Sequence, residues 1–133
     1  MRKPILCLDF DGVCNSYTSG WQGADVISDD AVPGLFEFLE QAAPYFDIQV
    51  FSSRSHQPGG IQAMQNWFDE QYMKWSGIDD GRGVAEFVSI SFPTVKPSAT
   101  VSIDDRAINF NGQWPDMDFL RNFKPWNKAD RSK

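Results

Sequence analysis

Ile5-Leu6-Cys7-Leu8-Asp9-Phe10-Asp11-Gly12 is the stretch on which the reading of this chain turns. The apolar run from Ile5 to Phe10, closed by Asp11-Gly12, is what a strand buried on both faces and ending in a turn looks like. After it, residues 13–30 mix Asn15, Ser16, Gly20, Gly23 and Asp25 with Tyr17 and Trp21, and read as a long loop or small flap. Asp29 or Asp30 is placed to cap a helix over about 33–43, where Leu35, Phe36, Phe38 and Leu39 recur at helical spacing and Pro44 stops the pattern. A second strand is expected over 48–51. Ser52, Ser53, Arg54 and Ser55 emerge from it into a polar loop, and a second helix follows over about 61–75. Residues 87–92 alternate as a third strand, 93–98 form a connector holding Lys96, and 100–103 form a short fourth strand closed by Asp104 and Asp105. Beyond it, Asn111-Gly112 suggests a hairpin over 107–114, and 115–123 suggests a short helix.

Strands alternating with helices predict an α/β fold: a doubly wound, mostly parallel sheet in three layers, whose ligand site lies at the C-terminal strand ends. One domain over 1–124 with a flap at 13–30 is expected, followed by a basic tail over 125–133. The charge is divided to match. Residues 1–120 carry seven Lys/Arg against seventeen Asp/Glu, and 121–133 carry five against one. The net charge of −6 speaks against a surface built as a whole for nucleic acid, which needs clustered Lys and Arg. Cys7 and Cys14 are the only cysteines and form neither a disulfide framework nor a CxxC pair, so a reduced, cytoplasmic setting is expected. No segment suits a bilayer span, and Asp9 and Asp11 interrupt the N-terminal apolar run before it is long enough for a signal peptide.

The polar residues gather at one edge of this expected sheet. Asp9 and Asp11 end the first strand, Ser52 the second, Asp104 and Asp105 the fourth, with Lys96 just before. Carboxylates held together repel, and burying them is costly unless something compensates. A divalent cation is the natural compensation, and oxygen-only ligands at short spacing suit Mg²⁺.

Asp9-Phe10-Asp11-Gly12-Val13, then Ser52, Lys96 and Asp104-Asp105, resembles the haloacid dehalogenase superfamily, with its four motifs present in order from Ile5 to about Asp105. The resemblance implies a Mg²⁺-dependent phosphatase that hydrolyses a phosphomonoester through an aspartyl-phosphate. Asp9 would attack phosphorus, and Asp11 would protonate the leaving oxygen and later activate water. Ser52, with Ser53, Arg54 and Lys96, would bind the phosphoryl group. The metal would be held by Asp9, by Asp11 through its backbone carbonyl, and by one or both of Asp104 and Asp105. Two departures stand out: Pro97 and a strand follow Lys96 where the family commonly has a helix, and neither usual position leaves room for a cap domain. An uncapped site suits a large phosphorylated substrate unless the flap or a partner subunit closes it. Asp104-Asp105-Arg106-Ala107-Ile108 with Gly112 and Trp114 further resembles small phage and bacterial domains related to polynucleotide-end phosphatases, which makes a nucleotide or nucleic-acid end the preferred substrate class. Two rivals belong to other classes. A phosphoacceptor receiver module uses similar groups but puts its acidic pair on the first strand and its phosphorylated Asp on a middle one; a catalytically silent binding domain would be expected to have lost Asp9 or Asp11.

Overall fold

The computed structural model describes residues 2–127. Lys128, Arg131 and Lys133 of the basic tail lie outside the described residues. Four parallel strands, β1 (Ile5–Leu8), β2 (Asp47–Val50), β3 (Ile90–Ser91) and β4 (Val101–Ile103), form one sheet in the order β3-β2-β1-β4. Between β1 and β2 lies α1 (Leu35–Ala42), and between β2 and β3 lies α2 (Gly60–Ser76); a short α3 (Met117–Arg121) follows β4. The chain is therefore α/β with a parallel sheet, as the alternation of strand and helix patterns required.

Register sets which residues share a face. Leu6 stands opposite Ile48 and Val101, Leu8 opposite Val50 and Ile103, and Ile48 opposite Ile90, so these seven side chains project to one side. Both longer helices cover that side. On α1, Leu35, Phe36, Leu39 and Ala42 are buried, and on α2, Met64, Trp67, Phe68 and Gln71, each set at helical spacing. All but Gln71 form one apolar cluster with Leu6, Leu8, Ile48 and Val50. Phe36 stacks on Trp75 at 5.4 Å, and Phe10 meets Trp67 edge-on at 4.9 Å, so α1, α2 and the end of β1 close a single core.

Topology explains why the helices are one-sided. The moves β1→β2 and β2→β3 run in the same direction across the sheet, and right-handed crossovers then put both helices on one face. The move from β3 to β4 runs the other way and belongs on the opposite face. That crossover is residues 92–100, which contain no helix. The second helical layer of the expected three-layer arrangement is thus not built between β3 and β4. Since α1 and α2 stand over β1, β2 and β3, neither covers β4, and among the described residues Val101 and Ile103 remain 43% and 39% exposed.

Other local expectations change as well. α1 begins after Gly34, whose φ of +94° turns the chain, and not from a side-chain cap at Asp29 or Asp30. The third strand is only two residues long: the 3₁₀ turn at 84–86, whose Val84 N–H is held by the Asp69 carboxylate at 2.8 Å, takes the N–H groups of Phe87 and Val88 onto the Val84 carbonyl. Residues 107–114 do not pair as a hairpin. No helix among the described residues is long and apolar enough to cross a membrane.

Candidate active site

The loop leaving β1 is wound tightly. The Phe10 carbonyl accepts the N–H groups of Val13, Cys14 and Asn15 at 3.3, 2.9 and 3.2 Å, and the Asp9 carboxylate accepts the N–H of Phe10 at 2.8 Å. The N–H of Asp9 donates to the Ile103 carbonyl at 3.0 Å, which docks the end of β1 against the end of β4. Gly12 has a φ of +82°, and a Cβ there would collide with Oδ2 of Asp105. The Asp-Gly step therefore serves two ends: it permits the left-handed turn and lets Asp105 lie flat against the loop.

Asp9, Asp104 and Asp105 each offer an oxygen within 4.8 Å of the others. Asp105 is the telling member. Its side chain is 1% exposed and both carboxylate oxygens are buried without a hydrogen-bond donor among the described residues. Among the described residues the nearest cation is Arg106, whose Nε stands 3.8 Å away on a largely exposed side chain. A contact between the Asp9 and Asp105 carboxylates becomes a hydrogen bond only with a proton between them. Burial, followed by the charge of Asp104, pushes the Asp9 carboxyl up to about 7. Three converging carboxylates, one stripped of donors, are a donor set that fits a hard divalent cation bound through oxygen.

Beside the cluster is a cavity of about 200 Å³ lined by Asp9, Asp104, Ser52, Ser53 and Lys96, with Cys7 and Ser102 on the sheet floor. Ser52 is buried; its Oγ accepts the N–H of Arg54 at 3.1 Å, which leaves the hydroxyl proton for a ligand. The N–H of Ser52 in turn donates to Ser55 Oγ at 3.0 Å, so a tight polar turn presents the hydroxyl. Lys96 comes from the 92–100 crossover on the open face of the sheet and is exposed. Burial pushes the Cys7 thiol up, keeping it protonated and passive.

Protein-family models, curated proteins and solved structures were compared with the chain, and none matches.

Asp11 is set apart from the acidic cluster. Its carboxylate is held by Arg54 and by Nδ2 of Asn15, on the flap side of the loop. Arg54, expected to bind phosphate with Ser52 and Ser53, is not part of the cavity lining; its guanidinium is buried against Asp11 and the flap carbonyls. Asn15, 1% exposed, is a site residue that sequence reasoning passed over, its one signal being a spacing of four from Asp11. The flap is equally anchored at its far end, where the Asp29 carboxylate takes hydrogen bonds from Thr18 and Ser19, and the Trp67 indole donates to the Asp29 carbonyl at 2.8 Å. His56, next to this loop, is exposed.

Proposed function

We propose that this chain is a Mg²⁺-dependent phosphatase of the haloacid dehalogenase type, acting on a phosphomonoester such as a nucleotide or nucleic-acid end. The observation that carries the reading is the buried, donorless Asp105 carboxylate beside Asp9 and Asp104, on the rim of a cavity that also holds Ser52 and Lys96. Opposed charges, a hydroxyl donor and an acidic cation site around one small cavity are the groups that phosphoryl transfer requires, since it depends on positioning and charge neutralisation.

Asp9, Asp104 and Asp105 would hold the cation, which when bound neutralises phosphate charge and keeps Asp9 ionised. An oxygen of Asp9 attacks phosphorus while the bond to the ester oxygen breaks, and Asp11 gives that oxygen its proton. Ser52 donates a hydrogen bond to the transferring group and Lys96 offsets its charge. Water then attacks the aspartyl-phosphate, losing its proton to Asp11, and phosphate leaves.

The test is phosphate release from an aryl phosphate, nucleotides and 3′- or 5′-phosphorylated oligonucleotides, with and without Mg²⁺. Activity is expected only with Mg²⁺, and Asp9→Asn lowers kcat by more than about a thousandfold while the protein stays folded. Release that ignores Asp9→Asn, or no release from any ester, overturns the reading.

A further inference from the structure

Arg54 is among the largest fully buried side chains, 1% exposed, and every guanidinium nitrogen is engaged inside the protein. Nε and Nη2 grip the Asp11 carboxylate at 3.0–3.2 Å. Nη1 donates to the carbonyls of Gly23, Ala24 and Val26 at 2.8, 3.0 and 3.0 Å. The guanidinium carbon lies 4.8 Å from the centre of the Trp21 ring and 5.8 Å from that of Phe10. Its backbone is equally constrained, because a Cβ at Gly60 would collide with the Arg54 carbonyl where α2 begins. A rigid, planar fork is the one side chain able to hold a carboxylate and a loop backbone at once.

We propose that Arg54 is a positioning residue that makes the 13–30 flap a fixed wall of the site and aims one oxygen of Asp11 at the leaving group. The second half rests on the phosphatase reading. The two oxygens of Asp11 are not equivalent. Oδ1 accepts from Arg54 Nε and Nη2 and from Asn15 Nδ2 at 3.2, 3.1 and 3.1 Å, whereas among the described residues Oδ2 accepts only from Arg54 Nε at 3.0 Å. Three donors saturate Oδ1, so Oδ2 is the oxygen with room for a proton. As the Asp9 oxygen bonds to phosphorus and the phosphorus–ester bond breaks, the ester oxygen takes the proton from Oδ2. In the second step water gives a proton back to Oδ2 as its oxygen bonds phosphorus and the Asp9–phosphorus bond breaks. A flap pinned on the carbonyls of residues 23, 24 and 26 has no freedom to act as a lid, so substrate enters an open site beside a standing wall.

Two variants separate positioning from mere support. Arg54→Lys keeps the charge and loses the fork; Arg54→Met keeps the stem and loses every donor. Each is assayed on an alkyl phosphate, whose leaving oxygen needs a proton, and on p-nitrophenyl phosphate, whose leaving group does not. The expected result is a loss in kcat of about a hundredfold or more on the alkyl ester against less than about tenfold on the aryl ester. In the same proteins, amides of the flap between 17 and 28 exchange hydrogen faster than in wild type. Equal losses on the two esters, or flap exchange unchanged in a folded variant, overturn the proposal. Should Arg54→Met fail to fold, Arg54→Lys carries both readouts. If wild type cleaves neither ester, the phosphatase reading fails and the aiming of Asp11 falls with it; flap exchange in Arg54→Lys then decides the wall by itself, faster exchange supporting it and unchanged exchange ending it.

Discussion

The loops after β1 and β4 supply carboxylates to one cluster, and the protein holds them in opposite ways. The β1 loop grows out of a strand whose Leu6, Cys7 and Leu8 are all buried, and its backbone closes on the Phe10 carbonyl. The β4 loop grows out of a three-residue edge strand with no buried side chain. What ties it down is the β1–β4 ladder, the fit of Asp105 against Gly12, and a return of the chain in which the Trp126 indole donates to the Gly12 carbonyl at 2.7 Å and Asn127 to the Ser16 carbonyl at 2.9 Å. A cation would act at the junction of the two loops. Bound among Asp9, Asp104 and Asp105, it would bridge a rigid half and a lightly held half, coupling the second half's order to site occupancy.

Truncating matched side chains on the two strands is expected to have unequal effects. Leu8→Ala removes a fully packed residue and is expected to cost about 2–5 kcal/mol in urea unfolding, while Val101→Ala, in the same layer on the exposed edge, costs less than about 1 kcal/mol. Similar losses at both positions would mean that β4 is covered after all.

A second experiment probes the repulsion at the junction. The Asp9 carboxyl is raised from its ordinary 3.8 to about 7, so the folded protein binds that proton more tightly than the unfolded chain. Stability from this group is fully present below about pH 4 and is lost as pH rises through about 7, in metal-free protein. The expected fall between those limits is on the order of a few kcal/mol, removed by Asp9→Asn and offset by added Mg²⁺. A wild-type profile that is as flat as that of the Asn variant would show that the three carboxylates do not oppose one another.

The smallest change sharpens the junction itself. Gly12→Ala adds a methyl group where φ is +82° and Asp105 already lies. It is expected to destabilise the fold by about 1–3 kcal/mol and to weaken Mg²⁺ binding by roughly 10–100-fold, read by unfolding and by calorimetric titration. Unchanged Mg²⁺ affinity would remove Asp105 from the proposed cation site.

Much of this was legible in the residues alone. The β1 run, the helical spacing on α1 and α2, and the polar residues at the strand ends are local signals that gathered Asp9, Ser52 and Asp104 at one sheet edge; the structure lines one cavity with them and with Lys96, whose direction the sequence left open. The expected hairpin over 107–114 was not formed, because Asn-Gly turn chemistry decides a hairpin only where flanking strands have partners to pair with, and the sheet ends at β4. Arg54 was legible as a charged residue beside Ser52, but its direction was not.

The order of elements, the parallel sheet and the acidic strand ends were determined by sequence, because periodicity and turn chemistry act over a few residues. Tertiary structure alone decided three things: that Arg54 faces Asp11 and the flap, that Asp105 is buried without a donor, and that both long helices share one face. Each depends on contacts between segments far apart in the chain, 43 residues in the case of Arg54 and Asp11. There, burial and the need to satisfy every polar group choose among directions that local preference leaves equal.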